Sequence, residues 1–210
     1  MHRIKGLRLA LLSTLAALLL GACATTPQNG ETGEAGSADG AADIERELKE
    51  CYLIGQMYLW SLADYSRGLS LAEAQETRRR AFFNNVPELA AQQRAIAATV
   101  YAETPQGRYP ASRYLRTKYA ECSKTTSDPE LGQKSTLCFN LVLLSEVVHE
   151  MRDAGRSRDQ VAEAFSAANQ NLESYAPMID AIFASERTRE DYNAGLFTRC
   201  LDAYVLEPAE

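Results

Sequence analysis

The sequence predicts an all-α protein: a helical bundle built from two similar four-helix, disulfide-stapled units in tandem, over residues 44–124 and 125–210. Three observations predict this fold. Large apolar residues recur at three- and four-residue steps, and no stretch shows the sustained two-residue alternation of a half-buried strand. A set of landmark residues recurs in the second half of the chain in the order found in the first. Four cysteines follow Cys23, which is an even number that allows two disulfides.

Eight helices are predicted, four in each unit. The first carries one stripe of apolar or small residues at helical spacing, which predicts a core-facing side. The stripe consists of Ile44, Leu48, Cys51, Gly55, Tyr58 and Leu62. Trp60 and Phe165 are also predicted to lie in the core. The predicted helices span residues 43–66, 71–84, 87–103, 111–123, 133–154, 158–171, 177–186 and 189–204.

The repeat is defined by a cysteine, a glycine and a helix start. Cys51 stands 17 residues before Gly68, and Cys138 stands 17 residues before Gly155. Each glycine is followed, two residues on, by a serine and then, three residues later, by glutamate or glutamine. This pattern is typical of a helix that ends at a left-handed glycine and of a next helix that begins with a capping box. The predicted capping boxes are Ser70 with Glu73 and Ser157 with Gln160.

The chain begins with a basic head and an apolar run over residues 9–20, which is the order of a secretory signal. The run is shorter than the ~20 residues that a membrane-spanning helix needs. It ends in Leu20-Gly21-Ala22-Cys23, which resembles the lipobox of bacterial lipoproteins. The resemblance implies that residues 1–22 are removed as a signal peptide and that Cys23 becomes an acylated, palmitate-bearing N-terminus. The alternative is an ordinary signal peptide beside an incidental thiol.

The lipoprotein resemblance also implies a location. Ala24, in place of aspartate, implies sorting to the periplasmic leaflet of the outer membrane rather than retention at the inner membrane. Removal of the leader would leave 19 basic and 28 acidic residues, a net charge of −9. Residues 23–43 are predicted to be the acylated cysteine and a flexible tether, because they contain almost no large apolar side chain.

Export would place the remaining cysteines in an oxidising compartment, where disulfides persist. Three pairings are possible, and geometry alone leaves Cys122 with Cys138 open. In an up-down bundle the start of the first helix and the end of the fourth lie at the same end. The repeat therefore favours Cys51 with Cys122 and Cys138 with Cys200.

The repeated unit resembles small, uncharacterised, secreted helical proteins of Gram-negative bacteria. The features that carry the resemblance are an early cysteine, a Gly-x-Ser turn, a segment with valine or isoleucine before an aromatic residue, and a closing cysteine. The resemblance implies no activity. Disulfide-stapled chaperones of the acid-stress type share the size and the compartment, but the tandem cysteine spacing departs from their pattern.

The sequence predicts neither a catalytic residue nor a metal or other cofactor. His149 is the only histidine beyond residue 22. Its Glu146-x-x-His149 step places both side chains on one helical face, as in di-iron bundles, but those sites need a second such motif. The matching positions 59–62 of the first unit are apolar apart from a serine. A periplasmic hydrolase or metal enzyme centred on His149 remains the alternative.

The charges of the two units are opposite in sign: the first carries +3 and the second −8. A basic cluster interleaved with tyrosines predicts a surface for an anionic envelope component, namely peptidoglycan, a lipid headgroup or an acidic protein. Nucleic acid is not expected in this compartment. The competing interpretation is a solvated face whose arginine stems lie on tyrosine rings. The predicted partner-binding residues are Arg108, Arg113, Arg116 and Lys118.

Together these observations predict a non-catalytic, membrane-anchored periplasmic lipoprotein that binds another component of the cell envelope. Besides the enzyme centred on His149, an envelope-stress chaperone or inhibitor is the remaining alternative.

Overall fold

The computed structural model describes residues 36–82, 85–103, 111–168 and 172–206. Within these ranges the chain is helical, with short turns and no strand, so the predicted all-α class is confirmed. The helices are α1 (Gly36–Ser66), α2 (Leu71–Phe82), α3 (Pro87–Glu103), α4 (Ala111–Ser123), α5 (Pro129–Asp153), α6 (Arg158–Ala167), α7 (Leu172–Ala184) and α8 (Arg189–Leu201), which continues as a π-helical turn over Asp202–Leu206.

Helix α1 begins earlier than predicted. It starts at Gly36, so the predicted flexible tether is wrong for residues 36–43, while residues 23–35 lie outside the described part of the chain. Three alanines, which are strong helix formers, favour this extension. Asp43 also accepts a hydrogen bond from Arg46 one turn later, at 2.8 Å. Residues 40–43 of this extension are exposed to solvent.

Helices α5 and α7 also start before their predicted positions. The Asp128 carboxylate caps α5 by accepting hydrogen bonds from two backbone N–H groups, and Pro129 occupies the first turn, where its missing N–H is tolerated. Helix α7 starts at Leu172, which places Pro177 inside it rather than at its start. Pro177 is exposed, so water can solvate the carbonyl that loses its intrahelical partner.

The two predicted glycine turns are confirmed. Gly68 and Gly155 have φ angles of +78° and +81°, in the left-handed region that favours glycine. After each glycine the next backbone N–H bonds back to a carbonyl five residues earlier, which satisfies the helix end. Both predicted capping boxes form in the helices that follow, at Ser70 and Ser157.

Both disulfides have the predicted pairing. Cys51 is bonded to Cys122 and links α1 to α4, with 5.6 Å between the Cα atoms. Cys138 is bonded to Cys200 and links α5 to α8, with 5.5 Å between the Cα atoms. In each half of the chain the end of the fourth helix is therefore bonded to the middle part of the first, since α1 and α5 both begin earlier than predicted.

The main hydrophobic core crosses the predicted boundary between the two units. The Tyr119 ring of α4 stacks on Phe139 of α5 with 4.4 Å between centroids, and Phe197 of α8 packs against Tyr119 edge-on. A smaller core, which includes Phe165, lies among α5–α8, whereas Trp60 is only partly buried at the edge of the main core. The units thus share a core, and their tandem similarity stays a prediction.

Candidate functional site

An open cleft of about 540 Å³ lies where α1, α2, α4, α5 and α8 meet. Its volume is within the ~300–1,000 Å³ of typical ligand sites. We call it the charged cleft, because six charged side chains line it. These are Arg67, Arg78, Arg189, Glu146, Glu150 and Glu190. The apolar part of its lining includes Leu59, Trp60, Leu62, Ala63, Ala111 and Leu115.

Asp64 positions two of the arginines. Its side chain is fully buried, and the guanidinium of Arg78 donates to both of its carboxylate oxygens, each at 2.8 Å. Arg67 donates to the same carboxylate. The Arg78 guanidinium also lies over the Trp60 ring, 5.8 Å from its centroid, in a cation–π contact. We call Arg67 and Arg78 the arginine wall. Both of their guanidinium groups pair with the single carboxylate of Asp64.

A second charged network holds Glu146. This residue is 8% exposed, and Asn193 donates to one of its carboxylate oxygens at 2.5 Å. Asn193 is itself held by the Ser145 hydroxyl, which donates to its carbonyl oxygen at 2.6 Å. Arg189 divides its guanidinium between the other Glu146 oxygen, at 3.4 Å, and Asp153, at 2.5 Å. The positive charge of Arg189 is therefore already matched by two carboxyl groups.

Glu150 and Glu190 complete this side of the cleft, and we call Glu146, Glu150 and Glu190 the glutamate wall. Glu150 and Glu190 are exposed, and neither side chain forms a hydrogen bond or an ion pair with a described side chain. Burial raises the pKa of Glu146 to about 7, against the opposing effects of Arg189 and Asn193. Near neutral pH the buried carboxyl is thus partly protonated.

His149 lies outside the cleft lining. Its ring is fully buried and packs edge-on against Tyr192, with 5.3 Å between centroids. Neither ring nitrogen has a hydrogen-bond partner in the described structure. Burial lowers the pKa of His149 to about 4, and Arg152 and Arg189 add to the effect. The imidazole is therefore neutral and enclosed, with no contact to the space where a ligand would lie.

Three of the four residues predicted to bind a partner lie in the described part of the chain. Arg113 and Arg116 on α4 are exposed, whereas the Lys118 side chain is 14% exposed and bound to Glu103 at 3.1 Å and to Glu121 at 3.3 Å. The prediction that these basic residues bind a partner therefore depends on the two exposed arginines. Arg108 lies outside the described residues.

The tyrosines around this surface pack against the protein itself. Lys118 lies over the rings of Tyr58 and Tyr114, which form an edge-on pair, and Tyr119 is fully buried. On α2, the guanidinium groups of Arg79 and Arg80 form ion pairs with Glu76. The Lys118 contacts are cation–π contacts of its ammonium group and the α2 contacts are ion pairs, so the interpretation of arginine stems lying on tyrosine rings stays a prediction.

The lipid-attachment residue Cys23 and the leader lie outside the described residues. Among the described helices, none has the length and apolar character needed to cross a bilayer. The described part of the chain also contains no group of three or more histidine, cysteine, aspartate or glutamate residues placed to hold a metal ion. The acyl anchor stays a prediction.

Five residues of the cleft and its surroundings were not among the predicted site residues: Asp64, Arg67, Arg189, Glu150 and Glu190. For Asp64 a signal exists. It follows Met57 and Ser61 at helical spacing, and all three are buried, so this face of α1 points into the protein. A charged residue on an inward face needs a partner, and that requirement predicts an ion pair.

The structure thus defines an all-helical, twice disulfide-linked protein with a cleft whose two walls carry opposite charges. No protein-family model matches the sequence, and neither curated proteins nor solved structures give a significant match. The functional proposal therefore rests on the charged cleft and on the N-terminal motif.

Proposed function

We propose that the protein is a non-catalytic lipoprotein that is held by acylated Cys23 at the periplasmic face of the outer membrane. There it binds another component of the cell envelope in the charged cleft. The lipobox-like Leu20-Gly21-Ala22-Cys23 supports the anchor, since acyl chains on a cysteine provide stable attachment to a bilayer.

The observation that supports a binding role is that charged side chains, held in place by hydrogen bonds, line a cavity with the volume of a typical ligand site. Arg78 is held by Asp64, and Glu146 is held by Asn193, so both walls have fixed side chains behind them. Groups oriented in this way bind a ligand with little loss of conformational entropy. The exposed carboxylate of Glu190 is left to contact a ligand.

The cleft is favoured over the α4 surface because that surface retains only Arg113 and Arg116 as exposed described cations of the predicted set. An enzyme centred on His149 is not favoured, because a substrate in the cleft does not reach the enclosed imidazole. No contact in the described structure favours the chaperone alternative.

The anchor is tested on the full-length chain in a Gram-negative host. We expect mass spectrometry of the purified protein to show a chain that begins at Cys23 and carries acyl groups. A Cys23→Ser variant, which lacks the thiol that receives the lipid, should leave the outer-membrane fraction. An intact Met1, or an unmodified Cys23 in the wild type, would contradict the anchor.

Envelope binding is tested by sedimenting the detergent-solubilised mature protein with purified peptidoglycan, which the acyl anchor does not bind. We expect the Glu150→Lys/Glu190→Lys variant to bind its envelope component at least about tenfold more weakly, because two carboxylates of the cleft change sign. Both residues are exposed and unpaired in the described structure, so the fold should survive.

A matched control carries the same charge change elsewhere. Glu163 of α6 and Glu173 of α7 are exposed and do not line the cleft, so Glu163→Lys/Glu173→Lys should bind as the wild type does. A third variant, Arg113→Glu/Arg116→Glu, separates the two candidate surfaces. If this variant loses binding while the cleft variant retains it, the cleft is the wrong site.

A further inference from the structure

We infer that the charged cleft binds a zwitterionic ligand, such as a short peptide with a free ammonium group and a free carboxylate. This inference rests on the proposed function, because it identifies the ligand class of the same site. It follows from three features of the cleft lining: an exposed guanidinium in the arginine wall, two exposed carboxylates without an ionic partner among the described side chains, and a set of apolar side chains.

The arginine wall has the capacity to bind a carboxylate. Asp64 is fully buried and is already chelated by the two donors of Arg78. Arg67 adds a second guanidinium to the same carboxylate, and its side chain is 61% exposed. The Asp64 carboxylate is therefore shared by two guanidinium groups, and the Arg67 side chain is exposed enough for a ligand carboxylate to reach it. Guanidinium groups bind carboxylates through charge-assisted hydrogen bonds.

The glutamate wall has the capacity to bind an ammonium group. Glu150 and Glu190 come from different helices, α5 and α8, and both line the cleft. Neither has an ionic partner among the described side chains, and Arg189 is engaged by Glu146 and Asp153. This side of the cleft therefore carries an excess of negative charge that the protein itself does not match.

The two walls together exclude ligands of a single sign. A purely anionic ligand would be repelled by Glu150 and Glu190, and a purely cationic one by Arg67, which disfavours both classes. The rest of the cleft lining includes leucine and alanine side chains and the Trp60 ring, which suit the uncharged part of a peptide. The ligand class that matches all three features carries both charges at separated positions.

Trp60 provides a direct readout of occupancy. It is the only tryptophan in the sequence, and its ring is part of the cleft lining. Its fluorescence in the detergent-solubilised mature protein can be titrated with four probes: trialanine with free ends, N-acetylated trialanine, trialanine amide, and trialanine capped at both ends. These probes carry, respectively, both charges, the carboxylate only, the ammonium only, and no charge.

We expect trialanine with free ends to bind at least about tenfold more tightly than either singly capped form, because each cap removes one charge-assisted contact. The doubly capped form should bind most weakly. Equal dissociation constants for the free and singly capped peptides would overturn the inference. The absence of a fluorescence change with all four probes would also overturn it.

Variants assign each charge to its wall. In Glu150→Gln/Glu190→Gln, N-acetylation should no longer weaken binding, whereas amidation still should. In Arg67→Gln, amidation should no longer weaken binding, whereas N-acetylation still should. Glu163→Gln, on the surface of α6, should behave as the wild type. A variant that merely loosened the fold would weaken all four probes together, and that result would contradict the assignment.

The outcome separates this inference from the proposed function. If the protein sediments with an envelope component through the cleft but does not discriminate among the four peptides, the envelope role stands and the zwitterionic ligand class is wrong. If the cleft variants affect neither sedimentation nor peptide binding, both proposals are wrong.

Discussion

Replacing Cys51 and Cys122 together with alanine is expected to lower the free energy of unfolding by about 4 kcal/mol. The two cysteines are 71 residues apart in sequence, and a crosslink over such a span strongly restricts the unfolded chain in the chain-entropy account. In a protein of this size about 1 kcal/mol corresponds to roughly 2–4 °C, so Tm should fall by roughly 8–16 °C. Urea denaturation and thermal circular dichroism measure both quantities.

A reductant provides the control for this experiment. Excess dithiothreitol should lower the stability of the wild type by the contributions of both bridges. The Cys51→Ala/Cys122→Ala variant should lose only the contribution of Cys138–Cys200, whose partners are 62 residues apart. The prediction is wrong if the double variant, without reductant, unfolds within about 1 kcal/mol of the wild type.

Replacing Asp64 with alanine is expected to lower the free energy of unfolding by about 3–5 kcal/mol. The change leaves the Arg78 guanidinium, in a side chain that is only 13% exposed, without the carboxylate that receives two of its hydrogen bonds. Breaking a buried ion pair by removing one partner is costly because the remaining charge is poorly solvated. Urea denaturation of the variant gives the change directly.

Two further variants test whether the loss of stability in Asp64→Ala comes from the unpaired charge of Arg78. Glu76→Ala removes a partly exposed carboxylate that pairs with arginines on its own helix, and it should be much less destabilising than Asp64→Ala. The double change Asp64→Leu/Arg78→Met removes both buried charges, and it should be less destabilising than Asp64→Ala alone. An Asp64→Ala variant as stable as Glu76→Ala would show that the pair does not stabilise the fold.

Local features of the fold were predictable from spacing alone. The turns at Gly68 and Gly155 depend on a backbone conformation that glycine adopts without a steric penalty, and their capping boxes involve residues three apart. Helix starts were less predictable. Helix α5 depends on the Asp128 cap, and α7 tolerates Pro177 in its interior, so neither start follows from apolar periodicity.

The charged cleft was not predictable, because its walls combine side chains from helices far apart in sequence. Arg67 follows the end of α1, whereas Glu190 lies at the start of α8. The basic surface was predicted incompletely for the same reason. Lys118 is matched by Glu103, fifteen residues earlier, and that contact exists only because α3 and α4 place the two side chains together.

The amino-acid order by itself determined the helical class, the two glycine turns with their capping boxes, and the preferred cysteine pairing. These depend on interactions between near neighbours or on a repeat that is visible in one dimension. Tertiary packing alone decided that Asp64 is buried against Arg78, that His149 is enclosed, and that Glu150 and Glu190 face an open cleft. The physical reason is that desolvation and charge pairing depend on which helix faces lie against each other.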